Sequence, residues 1–151
     1  MRIHKGEYFE TEKTIPASMP SEIENPQILH KNRLTARSTV IPASEYGVYY
    51  YNKEKSDRIY SLNGKCRFAL FDDYAPDNFE KSDYDDSDWD EVKIPSMWQY
   101  DGYGQPTYPN TEFPFPFDPP HIDRLNPVGC YIKKFNIQEL SYRTIFHFGG
   151  V

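Results

Sequence analysis

Between Ile94 and Pro120 the chain reads IPSMWQYDGYGQPTYPNTEFPFPFDPP, with six prolines from Pro106 onward. Proline has no N–H and a fixed φ, so this run excludes both a helix interior and a central strand. Yet it carries Trp98, Tyr100, Tyr103, Tyr108, Phe113, Phe115 and Phe117, more rings than a solvated linker keeps. A proline-stiffened, ring-rich loop has little conformational entropy to lose and can hold polar groups at fixed positions. Among those rings Asn110 offers an uncharged amide that donates and accepts toward a hydroxylated ligand. The plainer reading is a surface loop packed down by its own aromatics, with Asn110 capping a turn. Chemistry alone leaves both open.

The segments before and after this loop read as strands. Arg58–Leu62 and Lys65–Phe71 flank Asn63-Gly64, the preferred two-residue hairpin turn because both central positions need positive φ, so a hairpin is expected. In its second arm Cys66, Phe68 and Leu70 alternate with Lys65, Arg67 and Ala69, which predicts one core face and one wet face. Past the loop, Tyr131, Phe135 and Ile137 alternate as a further strand, with Lys133 on the apolar side reaching outward at an edge. Arg143–Phe148 is expected to be another strand, in which His147 is a satisfied or exposed residue rather than a catalytic one. Glu45–Asp57 passes from tyrosines into charge, an extended piece and then a solvated loop. Met1–Pro20 shows no period and few large apolar side chains, so it reads as an extended or disordered arm.

Charge narrows the classes of function. The net charge is −6, which leaves no phosphate-neutralising excess and argues against a nucleic-acid partner. No run of about 18 apolar residues exists to cross a membrane, and the first residues lack the apolar region of a secretory signal. Cys66 and Cys130 are too few for a disulfide framework and too far apart for a metal knuckle, so buried free thiols and a cytoplasmic location are expected. The acidic run from Asp72 to Asp90 reads as a solvated face. A calcium loop built from Asp83, Asp85, Asp86 and Asp88 would lack the turn glycine and the bidentate glutamate at the right spacing.

Certain residues group into a larger pattern. Pro95-Ser96-Met97-Trp98-Gln99, Gly102-Tyr103, Pro106, Tyr108-Pro109-Asn110, Phe113-Pro114 and Pro119-Pro120 resemble the N-terminal sugar-binding domain of family 2 β-galactosidases. Glu24-Asn25-Pro26 and Asn32-Arg33-Leu34 are similar to that family's N-terminal arm, which contacts other domains or subunits. Ser61-Leu62-Asn63-Gly64 with Arg67-Phe68 resembles its first hairpin, where a tryptophan usually stands at the position of Cys66. Asp88-Trp89, Val92 and Ile94-Pro95 look like a turn whose tryptophan packs beside a short strand. Asn126-Pro127, Gly129, Tyr131 and the closing Phe148 to Val151 also match. Met97, Pro109 and Phe113 depart from the family's asparagine, threonine and tyrosine.

The resemblance implies an all-β fold: a jelly-roll-like β-sandwich of the galactose-binding-domain type, incomplete at the C-terminus, with an arm over residues 1–43 and the sandwich over 44–151. It implies the first portion of a retaining β-galactosidase acting on terminal non-reducing β-D-galactose, as in lactose. Asn110 would be the substrate-binding residue. Retaining hydrolysis needs two carboxylates about 5 Å apart, and in the family both are glutamates of a later barrel, so no catalytic residue is expected here. Expected partners are the galactoside, the remaining domains of the enzyme and, at full length, further copies of it. Magnesium and sodium are expected for the parent enzyme and no cofactor in this part. Glu22 and Asn25 lie where some members hold a metal, but two oxygens do not make a site. The alternatives are a stand-alone carbohydrate-binding module and a structural fragment without a ligand.

Overall fold

The computed structural model describes residues 2–3, 5, 22–38, 40–47, 52–72, 74–106, 110, 118–121, 127–137 and 143–150. Among these residues the regular structure is all-β apart from a single 3₁₀ turn, Lys53–Lys55. The strands are β1 (Arg2–Ile3), β2 (Gly64–Phe71), β3 (Asp90–Ile94) and β4 (Val128–Ile132). All pairings are antiparallel and all involve β2.

β2 is central because its two edges are both occupied. β3 pairs with Gly64 to Phe68, and β4 pairs with Arg67 to Phe71. The two overlap at Arg67 and Phe68, so they lie on opposite edges. β1, opposite Leu70 and Phe71, continues the edge that β3 begins. The strand starts at Gly64, whose φ of +109° is one that side-chain-bearing residues rarely adopt.

Residues directly opposite one another share a face, and the register yields two apolar clusters. On one face Cys66, Phe68, Leu70, Val92 and Tyr103 are buried, with Ile94 and Trp98 packed against them. On the other, Ala69, Trp89 and Cys130 are buried beside Phe71, Phe79, Tyr84, Val128 and Ile132. Trp89 anchors this second layer: its N–H donates to the Asp86 carbonyl at 3.1 Å, and its ring meets Tyr84 edge-on at 5.6 Å. Nearer the start of β2 the same face is charged. Lys65 pairs with Glu91 at 2.5 Å, and Arg67 Nη1 donates to the Trp89 carbonyl at 3.0 Å.

Several expectations need correction. The Asn63-Gly64 hairpin does not form: residues 59–63 belong to no strand. A two-residue turn there would place 59–62 against 65–68, where β3 holds one edge throughout and β4 holds the other from Arg67 onward. Ala69 is not on a wet face but 1% exposed, because the Trp89 turn covers that half of the sheet. The alternation from Tyr131 to Ile137 is paired only as far as Ile132, and residues 143–148 belong to no strand. Within the first twenty residues, Arg2 and Ile3 are extended and pair with Phe71 and Leu70. The expectation for residues 6–20 falls outside the described residues. The buried free thiols are found as expected, while Lys133 turns back to β2, its Nζ donating to the Lys65 carbonyl at 2.6 Å.

Candidate functional site

The proline- and ring-rich stretch leaves β3 at Ile94 and returns to the sheet at Val128. Its first turn is tight: the Tyr100 N–H donates to Met97 O at 2.9 Å, Gly102 to Gln99 O at 3.2 Å, and Tyr103 to Trp98 O at 3.0 Å. Gly102 and Gly104 take φ of +90° and +65°, which glycine adopts without a Cβ clash. The result is that two rings, Trp98 and Tyr103, turn inward together.

Both land on Phe68. Trp98 stacks at 6.1 Å and 26°, and Tyr103 meets the ring edge-on at 4.8 Å and 73°, both geometries favoured by the aromatic quadrupole. The Tyr103 hydroxyl donates to Asp90 Oδ2 at 2.8 Å, so the buried phenol has its polar end satisfied. Tyr131 closes the cluster from β4, 4.7 Å from Phe68, and burial raises its phenol pKa. This arrangement also shows what surrounds Cys66 where the family pattern has tryptophan: Phe68, Val92, Tyr103 and Trp98 belong to its cluster, and burial raises its thiol pKa.

Asn110 lies in a turn and is exposed, on a loop whose first part is fastened to the core. Tyr108, Phe113, Phe115 and Phe117 lie outside the described residues. Met97 and Tyr100 are exposed on the first turn.

The acidic run is mostly exposed but not uniformly so. Asp85 Oδ1 accepts the Ser87 N–H at 3.0 Å, and this local bonding lowers its pKa. Asp86 is buried and accepts from Lys134 Nζ at 2.5 Å, which holds its carboxyl below the usual carboxylate range. These carboxylates serve turns and ion pairs. Among the described residues, no group of three or more His, Cys, Asp or Glu side chains is placed to hold a metal ion. Glu22 is clipped by Lys31, and Asn25 Oδ1 accepts the Gln27 N–H at 3.0 Å.

Sequence reading missed three contacts: Tyr103 with Asp90, Lys134 with Asp86, and Glu24 with His121 at 3.5 Å. Tyr103 carried a signal, since a buried phenol needs a partner. The other two join segments 48 and 97 residues apart and leave no local trace.

The described strands form one antiparallel sheet, and the aromatic loop that follows β3 is pinned to its Phe68 by Trp98 and Tyr103. The family model for glycosyl hydrolases family 2, sugar binding domain, matches residues 59–151. The chain belongs to this family. It is 38% identical to the β-galactosidase of Vibrio vulnificus (strain YJ016) over 118 residues, which cover 76% of this chain and 11% of that relative. It is 41% identical to the Vibrio cholerae β-galactosidase over 94 residues, 57% of this chain and 9% of the relative. It is 33% identical to the Kluyveromyces lactis enzyme of the same name over 138 residues, 85% and 12%. The chain therefore spans 9–12% of the length of these relatives.

Proposed function

We propose that this chain is the amino-terminal part of a β-galactosidase that releases terminal non-reducing β-D-galactose with retention, and that it supplies substrate contact rather than bond cleavage. The observation that carries the reading is the match over residues 59–151 to the family's sugar-binding domain, with relatives named β-galactosidase at 33–41% identity. In this reading residues 1–43 are the arm, whose Arg2 and Ile3 lie along the sheet, and 44–151 the first part of the sandwich domain. Trp98 and Tyr103 hold the loop to the core, and Asn110 at its surface bonds a galactose hydroxyl. An amide suits this task because one group donates and accepts, and a loop ordered beforehand has less entropy to lose on binding.

The nucleophile and proton donor, a carboxylate pair about 5 Å apart in retaining enzymes, are proposed to lie outside residues 1–151. The magnesium and sodium ions of the parent enzyme are proposed to sit outside the described residues. The enzyme is proposed to be cytoplasmic and to work as a homo-oligomer.

Two measurements test the reading. The purified 151-residue chain is expected to turn over no chromogenic galactoside, and turnover above blank that survives repurification refutes the division of labour. In the complete enzyme, Asn110→Ala is expected to lower kcat/KM by about one to two powers of ten, since a sugar hydroxyl loses its partner. Its thermal stability should stay unchanged. An unaltered kcat/KM means that Asn110 does not touch the sugar. Galactoside binding by residues 1–151 alone would favour a stand-alone binding module.

A further inference from the structure

The first turn of the loop is pinned by Trp98 and Tyr103, and Asn110 follows seven residues after Tyr103. Eleven residues further on, the turn at 118–121 is closed by the His121 N–H on the Asp118 carbonyl at 2.8 Å. The ring of His121 then meets a segment from the other end of the chain: Nδ1 stands 3.5 Å from Glu24 Oε2. Glu24 belongs to a compact turn. The Asn25 N–H donates to Glu22 O at 3.4 Å and that of Ile28 to Asn25 O at 3.0 Å, while Lys31 clips Glu22. The Glu24 side chain is 32% exposed and that of His121 63%, so the contact sits at the surface with the Glu24 side chain the more covered of the two.

We infer that Glu24 and His121 form a clasp that ties the Glu-Asn-Pro turn of the arm to the far foot of the aromatic loop and so positions Asn110. The inference rests on the assignment of Asn110 to the sugar made above. Along the chain His121 lies eleven residues from Asn110, and the start of β4 lies eighteen. A pin at His121 shortens the span on that side, and a shorter span samples fewer positions. Nδ1 donates to the carboxylate whenever it carries the ring proton. An exposed pair of this kind contributes little to overall stability. Its effect should therefore appear in where the loop sits rather than in whether the protein folds. Glu24 and His121 are positioning residues.

The test is hydrogen–deuterium exchange together with steady-state kinetics on the complete β-galactosidase and its variants Glu24→Gln, His121→Gln and the double substitution, with Asn110→Ala alongside. Each single variant is expected to raise exchange in peptides covering 22–31 and 110–121. Each should raise KM about two- to fivefold with kcat unchanged, the size of effect a surface pair can exert. The double variant should go no further than either single one, because the two residues act through one contact. His121→Lys, which keeps a donor facing Glu24, should recover most of the loss. Unchanged exchange in both peptides overturns the clasp. Raised exchange with unchanged KM, while Asn110→Ala raises KM, overturns its positioning role. If Asn110→Ala leaves kcat/KM unaltered, the sugar assignment fails, and raised exchange in both peptides still supports the clasp.

Discussion

Gly129 lies directly beneath the indole of Trp98: a Cβ on the glycine would stand 2.4 Å from Cζ3 and 2.6 Å from Cε3. Bare backbone of β4 is thus the floor on which the loop's first ring rests, with Phe68 alongside at 3.1 Å from the same point. The indole is also stacked on Phe68, and Gly129 is paired with Leu70, so a shift of either disturbs the sheet.

Gly129→Ala should therefore lift Trp98 off the sheet. Overpacking of this kind costs about 1–3 kcal/mol. A lower urea midpoint and a red shift of tryptophan emission are expected. A variant as stable as the parent, with unshifted emission, would show that the indole is free to move aside.

Tyr103→Phe keeps the ring on Phe68 and removes the hydroxyl that donates to Asp90. The expected loss is about 0.5–1.5 kcal/mol, the net contribution of one hydrogen bond. Denaturation should show it as a shifted midpoint at constant slope. Tyr103→Ala should cost about 3–5 kcal/mol, in the range of emptying a buried aromatic site.

Asp86 links stability to acidity. Its carboxyl is held below the usual range chiefly by the Lys134 hydrogen bond. A group depressed in the folded state adds stability at pH values above its unfolded pKa. That stability is lost as pH falls from about 4 downward through the folded value. Lys134→Ala should flatten the acid limb of the stability–pH curve and leave its shape near neutrality unchanged. An acid limb identical in the two proteins would dismiss the pair as a contributor.

The two thiols should be slow to react. Burial pushes Cys130 up to about 11 and raises Cys66, so little thiolate exists near neutrality, and the thiolate is the nucleophile. They belong to clusters on opposite faces of the sheet and should not pair under mild oxidation. Iodoacetamide at pH 8 should label the native chain far more slowly than the urea-unfolded chain. Rapid native labelling of either cysteine would contradict its burial.

Parts of this architecture were legible beforehand and parts were not, for reasons the residues themselves supply. The alternation of Cys66, Phe68 and Leu70 marks β2 because apolar side chains two apart must share a face. Asn63-Gly64 misled because its local preference for a hairpin is real, yet partners drawn from residues 90–94 and 128–132 take both edges of the strand. Tertiary pairing overrode the turn. Ala69 is too small to announce which side of a strand it faces, and its burial depends on Trp89 twenty residues later. In the loop, Trp98 and Tyr103 could be picked out as rings, but their landing on Phe68 depends on Gly129, where the informative fact is a missing side chain. Asn110 was singled out by its chemistry and by resemblance, and its exposure is compatible with either of the roles open to it.

The double occupancy of β2 has a consequence for the chain as it leaves the ribosome. Phe68 is synthesised 63 residues ahead of Tyr131 and 35 ahead of Tyr103. At a translation rate of about 5–20 residues per second, the strand waits about 3–13 s for β4 to be made, with one edge open and Phe68 uncovered. Segments of that description recruit chaperones or stray partners. The charges at Lys65 and Arg67 stand beside this apolar run and act as gatekeepers during the wait. In the finished sheet the same two side chains have only modest surface tasks.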